Sequence, residues 1–151
     1  MDVFQIDDHG LLFISPDIDS WQSLADHGIS VVFDLDDDLD VGIPCMPNQL
    51  IYLFFPFEDK PTLPDPARLH ALAQLGANLI GKGHRVLTHC GMGHNRSALL
   101  AGIMLTYLGW SGADAVTRLR ERRPGALYNK VFAAYLAQLE AAAPAPPTAT
   151  V

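Results

Sequence analysis

The sequence predicts an α/β fold, a three-layer sandwich in which helices flank a mostly parallel central sheet. Two observations lead to this prediction. Short runs rich in β-branched and aromatic residues, typical of strands, alternate with longer segments in which apolar residues recur at helical spacing. Aspartate, serine, proline and glycine residues stand at the junctions, where they are expected to cap helices or form turns.

Both halves of the chain supply elements for this fold. In the first half, Asp8-His9-Gly10 predicts the turn of a hairpin, and Ser15-Pro16 is expected to open a helix that ends near Gly28. In the second half, Asp65-Pro66 has the pattern of an N-cap and a first helical residue, and Gly81-Lys82-Gly83 ends that helix. Strands are expected at residues 3–6, 11–14, 30–35, 49–55 and 85–89, and further helices at residues 97–105, 111–123 and 129–142.

Composition and charge limit the function classes. The 151 residues are 49% hydrophobic, enough for one substantial core. We expect one domain over residues 1–142 and a disordered Ala/Pro-rich tail over residues 143–151. The net charge of −7 leaves no broad basic face for nucleic acid or an anionic membrane. Two cysteines do not indicate a disulfide framework. The sequence shows no signal peptide and no apolar run of about 20 residues, so we expect a cytoplasmic location. We also expect a monomer.

The stretch His89-Cys90-Gly91-Met92-Gly93-His94-Asn95-Arg96-Ser97 carries the clearest chemical signal. It joins an expected strand to an expected helix, so the loop leads into a helix N-terminus with unpaired N–H groups. Gly91 and Gly93 permit tight turns that point successive N–H groups inward, and Arg96 adds a planar fork of donors. This arrangement is expected to bind a phosphate dianion.

Cys90 stands at the mouth of this anion cradle. A free thiol has a pKa of about 8.5, and electropositive sites of this kind lower it to roughly 3.5–7.5. The resulting thiolate would be a nucleophile toward phosphorus, and Ser97 could donate a hydrogen bond to it as the covalent intermediate breaks down. The pattern therefore indicates phosphoryl transfer through a cysteinyl-phosphate, with a buried inert cysteine as the alternative.

The His-Cys-x5-Arg-Ser pattern at residues 89–97 resembles the signature loop of the cysteine-dependent protein tyrosine phosphatases, and the short chain is most similar to their dual-specificity branch. Residues 52–59 are similar to the strand and acid loop of that branch, and residues 123–132 to its later Arg-Pro…Asn…Phe segment. The resemblance implies a dual-specificity phosphatase-like fold. It also implies hydrolysis of phosphotyrosine and phosphoserine or phosphothreonine in proteins, with a small phosphomonoester as the other possible substrate. It gives His89 a supporting role in the loop.

A general acid is needed because the leaving oxygen departs badly without a proton, and Glu58, Asp59 and Asp65 compete for this role. Asp59 lies 31 residues before Cys90, close to the separation that the resemblance implies, in a loop that follows a strand. Asp65 has a competing role as a helix N-cap, and Glu58 would point roughly opposite to Asp59 if the strand continues that far. We choose Asp59 and keep Asp65 as the second candidate.

The expected site has four catalytic residues, Cys90, Arg96, Asp59 and Ser97. The expected phosphate-binding residues are those of the loop, namely Gly91, Met92, Gly93, His94, Asn95 and Arg96. Because the backbone and Arg96 supply the positive charge, no metal and no cofactor are expected. A sulfurtransferase or an arsenate reductase with the same cradle stays open as an alternative, as does a phosphate-binding module without turnover.

Acidic residues crowd the end of the strand expected at 30–35, at positions 34, 36, 37, 38 and 40. They look like a metal cluster, but such a run is more often a solvated loop, and we expect no metal here. Asp34 could still approach the site, because its strand should end at the same edge of the sheet. Cys45 is expected to be an ordinary loop cysteine rather than a disulfide partner of Cys90.

Overall fold

A five-stranded sheet forms the centre of the computed structural model, which describes residues 1–142. Its strands are β1 (Phe4–Gln5), β2 (Leu12–Ser15), β3 (Val31–Asp34), β4 (Ile51–Phe54) and β5 (Val86–His89). Their order across the sheet is β1-β2-β5-β3-β4, and only β1 pairs antiparallel. The predicted mostly parallel sheet is confirmed. The expected disordered tail at residues 143–151 lies outside the described residues.

Helices cover both faces of the sheet. They are α1 (Trp21–Asp26), α2 (Pro66–Gly81), α3 (Arg96–Tyr107), α4 (Gly112–Arg122) and α5 (Lys130–Ala137). Side chains alternate along each strand, so Phe13 and Val32 form a small apolar cluster with Leu24 of α1. Ile14 and Phe33 face the opposite way, into the main core that the sheet shares with the other helices. The three-layer prediction is therefore confirmed.

Local capping signals account for most helix starts. Asp65 accepts a hydrogen bond from the N–H of Ala67 at 3.0 Å, and Ser111 caps α4 in the same way, as the sequence predicts. Asn129, expected to lie inside the last helix, is the cap of α5. The prediction of a helix opening at Ser15-Pro16 is wrong: Ser15 is the last residue of β2, and α1 begins after Ser20. The last helix also ends earlier than expected, at Ala137.

Within residues 1–142, no helix has the length and apolar character needed to cross a membrane.

Candidate active site

The signature loop occupies the turn between β5 and α3, at the carboxyl end of the central strands. Among the described residues, the backbone N–H groups from Gly91 to Arg96 donate to no acceptor. Asn95 is the N-cap of α3, but its side chain makes no hydrogen bond to the helix. Six consecutive N–H groups and a helix N-terminus are thus free to bind an anion.

Gly93 fixes the shape of this loop. Its φ of +69° lies in the left-handed region, and a Cβ added there would stand 2.7 Å from the backbone nitrogen of Pro16. At Gly91, by contrast, the nearest atom would be a carboxylate oxygen of Asp36 at 3.5 Å, an ordinary contact. The segment after β2 holds the loop from the same side, because the N–H of Asp17 donates to the carbonyl of Gly91 at 3.3 Å. Of the two glycines, Gly93 is the one that the loop requires.

Cys90 is the first residue after β5, where the signature loop begins, and it is only 2% exposed. Its Sγ lies 3.4 Å from Oγ of Ser97, which is fully buried in the first turn of α3. Its N–H donates to the carbonyl of Ser15 at 3.4 Å, so β2 also fixes its position. Both cysteines are free thiols, and Cys45 is exposed. The structure therefore brings the expected nucleophile and the expected serine donor into contact.

Arg96 presents one side of its guanidinium group to acidic partners and leaves another side unpaired. Its Nη1 lies 3.2 Å from Asp36 and 3.6 Å from Asp37, and it donates to the carbonyl of Phe57 at 3.3 Å. Its Nε is buried and has no hydrogen-bond partner among the described residues. A buried N–H without a partner is costly, and a phosphate oxygen would satisfy it.

Asp36 and Asp17 form a carboxyl pair beside Arg96. Burial opposes ionisation of Asp36, but the hydrogen bond from Asp17, a backbone N–H and the Arg96 guanidinium outweigh it and lower the pKa of Asp36. Burial and the Asp36 carboxylate raise the pKa of Asp17. The pKa values of the two carboxyl groups therefore shift in opposite directions, and the Arg96 guanidinium favours the ionised form of Asp36.

Asp59 is held against the signature loop by two amide side chains. Its Oδ2 accepts from Nδ2 of Asn95 and its Oδ1 from Nδ2 of Asn129, both at 2.8 Å. The N–H of Asn129 also donates to Oδ1 of Asn95 at 2.9 Å, so the three residues form one network. The competing carboxylates are occupied elsewhere: Asp65 caps α2, and Glu58 pairs with Lys60 at the surface.

A buried polar cluster supports the loop from behind. Nε2 of His89 lies 2.7 Å from Asp40 and 3.4 Å from Asp34, and the Tyr52 hydroxyl lies within hydrogen-bond distance of both carboxylates. Burial raises the pKa of Asp34 and, together with its bond to Asp34, that of Tyr52. The expectation of a solvated acidic loop is wrong for Asp34 and Asp40, because they contact buried partners on the neighbouring strands.

The same cluster contains the groups that resemble a metal site. Donor atoms of Asp34, Asp40 and His89 all lie within 4.8 Å of one another. Hydrogen bonds among these residues and from Tyr52 account for their arrangement. The expectation that no metal binds here stays a prediction.

Two residues at the rim bear on substrate binding. His94 lies edge-on to Tyr128, with 5.6 Å between ring centroids, and burial together with the charge of Arg123 lowers the pKa of His94. A cationic His94 is therefore disfavoured. Arg123, at the end of α4, donates to the carbonyls of Gly93 and Met92 and supports the loop from outside.

Sequence reasoning missed the roles of Asp36, Asn129 and Tyr52. For Asp36 a signal existed, since β3 and β5 are parallel neighbours and the residues that follow them meet at one edge. For Asn129 the signal was its place in the Arg-Pro…Asn…Phe segment, which resembles the family without indicating a contact with Asp59.

Comparison with known proteins agrees with this geometry. A family model described as dual specificity phosphatase, catalytic domain, matches residues 12–142. The chain is also similar to crystal structures of human DUSP28 (22% identity, TM-score 0.76, 89% of each chain covered) and of Tk-PTP in the active form (25% identity, TM-score 0.71, 91% of this chain and 95% of that chain covered). A third is the Yvh1 phosphatase domain from Chaetomium thermophilum (19% identity, TM-score 0.73, 90% of this chain and 94% of that chain covered). No curated protein sequence matches the chain.

Proposed function

The chain belongs to the dual specificity phosphatase catalytic domain family, and from this premise we propose that it hydrolyses phosphomonoesters through a cysteinyl-phosphate on Cys90, without a metal. One observation carries the proposal. Among the described residues, six consecutive backbone N–H groups of the loop that follows Cys90 and the buried Nε of Arg96 have no hydrogen-bond partner. These donors suit the three non-bridging oxygens of a phosphoryl group and would stabilise their charge in the transition state.

In the first step, the Cys90 thiolate attacks phosphorus in line with the leaving oxygen. The S–P bond forms as the P–O bond to the leaving group breaks, and Asp59 gives its proton to that oxygen. Arg96 and the loop N–H groups hold the non-bridging oxygens throughout. The contacts of Asp59 with Asn95 and Asn129 support this assignment, since they fix its carboxyl group beside the loop.

In the second step, a water molecule attacks the phosphocysteine. Asp59, now a carboxylate, accepts a proton from the water, and the S–P bond breaks to release inorganic phosphate. The hydroxyl of Ser97, 3.4 Å from Sγ, would donate to the departing thiolate. Enzyme and protons return to their starting state, so no external reductant or cofactor takes part.

We propose phosphotyrosine and phosphoserine or phosphothreonine in proteins as the substrate class. Two side chains near the signature loop are exposed, Met92 at 65% and Tyr128 at 64%, which supports a site that is open to phosphorylated residues of different length. A cytoplasmic setting suits the mechanism, because a reducing compartment keeps Cys90 reduced.

The decisive test uses phenyl phosphate, a substrate with a poor leaving group, with the wild type and three variants. Cys90→Ser should abolish hydrolysis, and Asp59→Asn should lower kcat by about 10²–10⁴-fold. Asp65→Asn is the matched control, because asparagine keeps the helix cap while losing the same charge. EDTA should leave the wild type active. Activity in Cys90→Ser, or equal losses in Asp59→Asn and Asp65→Asn, would contradict the mechanism.

The same samples separate the alternative functions. Thiosulfate turnover without ester hydrolysis would indicate a sulfurtransferase, and arsenate reduction would indicate a reductase. Binding of a phosphopeptide with no release of its alcohol would indicate a binding module.

A further inference from the structure

The carbonyl groups of residues 91–94, in the signature loop, all accept hydrogen bonds from other parts of the chain. Backbone N–H groups of Asp17 and Leu127 bind the first and the last of these carbonyls, at 3.3 and 2.9 Å. The side chain of Arg123 binds the two between them, with Nη2 at 3.2 Å and Nε at 3.3 Å. Arg123 is therefore the side chain that supports the middle of the loop.

These bonds fix the direction of free N–H groups in the loop. In a trans peptide, the carbonyl of one residue and the N–H of the next point in opposite directions. Since Arg123 holds the carbonyls of Met92 and Gly93, the N–H groups of Gly93 and His94 point away from Arg123. Neither N–H has a backbone acceptor within residues 1–142. Arg123 thus orients two of the donors that the proposed function assigns to the phosphoryl oxygens.

Phe4 of β1 contacts Arg123 from the side of the sheet edge. The Cζ atom of Arg123 lies 4.5 Å from the centroid of the Phe4 ring, which is the geometry of a cation–π contact. The hydrogen bonds of the guanidinium go to carbonyl oxygens, with Nη1 donating to Pro124 at 3.3 Å, and no carboxylate of the described chain forms an ion pair with it. Phe4 itself is half-buried and packs against the main core, so its ring is a fixed support for the cation.

The hairpin that contains β1 is also fixed to α4 by other contacts. Arg118 and Arg122 pair with Asp8, at 2.9 and 3.3 Å, and Arg118 donates to the carbonyl of Ile6 at 3.1 Å. In the part of the chain that the structure describes, no hydrogen bond joins either arginine to the signature loop. Phe4 differs from these residues because it contacts the arginine that binds the loop.

Resting on the proposed phosphatase function, we propose that Phe4 is a positioning residue for phosphoryl transfer, acting through Arg123 on the N–H groups of Gly93 and His94. Without the ring, the guanidinium can turn toward water, and the two peptide planes lose their fixed direction. A cation–π contact at a partly exposed site corresponds to about a two- to fivefold effect. Loss of the guanidinium and its two bonds to the loop should have a larger effect, about tenfold.

The first experiment measures binding of tungstate, a stable tetrahedral dianion, by isothermal titration calorimetry in the Cys90→Ser background. Phe4→Leu should weaken binding about two- to fivefold, and Arg123→Gln about tenfold. Phe4→Tyr keeps an aromatic ring and should bind tungstate as the parent protein does. The double variant with Phe4→Leu and Arg123→Gln should bind no more weakly than Arg123→Gln alone, because Phe4 acts through Arg123.

Arg122→Gln is the matched control. It also removes a contact between the hairpin and α4, but one that does not lead to the loop, and should change tungstate binding by less than about twofold. Equal binding by the parent and Phe4→Leu would overturn the proposal, as would additive losses in the double variant. An equal loss in Arg122→Gln and Phe4→Leu would also overturn it, because general docking of the hairpin would then be the cause.

The second experiment measures hydrolysis of phenyl phosphate with Cys90 intact. Phe4→Leu should lower kcat/KM about two- to fivefold, and Phe4→Tyr should retain the wild-type value. An unchanged kcat/KM in Phe4→Leu beside an active wild type would contradict the effect on phosphoryl transfer. If the wild type itself is inactive, the proposed function fails, whereas the tungstate measurements still decide whether Phe4 positions the loop.

Discussion

The Gly93→Ala substitution tests whether the signature loop depends on one backbone conformation. Gly93 has a φ of +69°, and the segment Ser15–Pro16 lies directly against it. Gly91→Ala is a matched control in the same loop, since it adds the same methyl group where the nearest atom would be 3.5 Å away. Any difference between the two variants therefore reports backbone conformation and close packing rather than the methyl group itself.

Two contributions determine how much Gly93→Ala should lower the free energy of unfolding. A left-handed conformation costs a non-glycine residue roughly 1–2 kcal/mol. The added Cβ would also lie 2.7 Å from the Pro16 nitrogen and 2.9 Å from the Ser15 carbonyl carbon, so backbone must move. Overpacking of this kind typically costs about 1–3 kcal/mol. Together they predict a loss of about 3 kcal/mol, which lowers Tm by roughly 6–12 °C in a chain of this size.

The assay pairs thermal unfolding with hydrolysis of phenyl phosphate. We expect Gly93→Ala to lose most of its activity, because movement of the loop displaces Cys90 and the N–H groups that hold the phosphoryl oxygens. Gly91→Ala should lose less in both measurements. Equal Tm values and equal kcat/KM for the two variants would refute the reasoning, because strain and contact at Gly93 would then have no consequence.

Two further predictions concern charge. Asp36→Ala should weaken inhibition by inorganic phosphate about tenfold, because Asp36 orients Arg96 from a distance of 3.2 Å. Asp37→Ala is the control: the Asp37 side chain is 79% exposed, and its loss should change phosphate inhibition by less than about twofold. Equal effects of the two substitutions would contradict the orienting role of Asp36. His70 contacts Tyr107 and Tyr135, and burial lowers its pKa below the ordinary value of 6.5. Near pH 6.5 the unfolded chain therefore binds more protons at His70 than the folded chain does. The free energy of unfolding should fall as the pH drops through 6.5. Urea unfolding across this range should show a shallower pH dependence for His70→Phe, and an unchanged slope would exclude His70 as its source.

Much of the fold could be predicted because the signals are local. Asp65 and Ser111 bond to N–H groups within three residues of themselves, so their roles as helix caps are contained in short stretches of sequence. Ser15-Pro16 carries a similar local pattern and misleads, because Ser15 pairs with His89 of β5 instead. Sheet pairing between distant segments overrides a capping preference, and nothing within a few residues of Ser15 reveals it.

The site also has a part that local sequence predicts and a part that depends on distant segments of the chain. The contact between Cys90 and Ser97 and the direction of the loop follow from one strand-loop-helix segment. The supports of that segment come from other parts of the chain: Asn129 from the start of α5, and Tyr52 from β4. The segments of both residues resemble the family, but the contacts of their side chains depend on how the sheet and helices pack.

The acidic residues after β3 show why composition alone misjudged this edge of the sheet. Asp40 is bound by His89 and Tyr52, and Asp36 is bound by Arg96, so both carboxylates already have partners. Asp36 occupies Nη1 of Arg96, whereas Nε has no hydrogen-bond partner within residues 1–142. A phosphoryl group can therefore bind the Nε side of the guanidinium while Asp36 stays in place. In the proposed mechanism, the negative charge of Asp36 orients Arg96, the cation that is expected to bind the phosphoryl group.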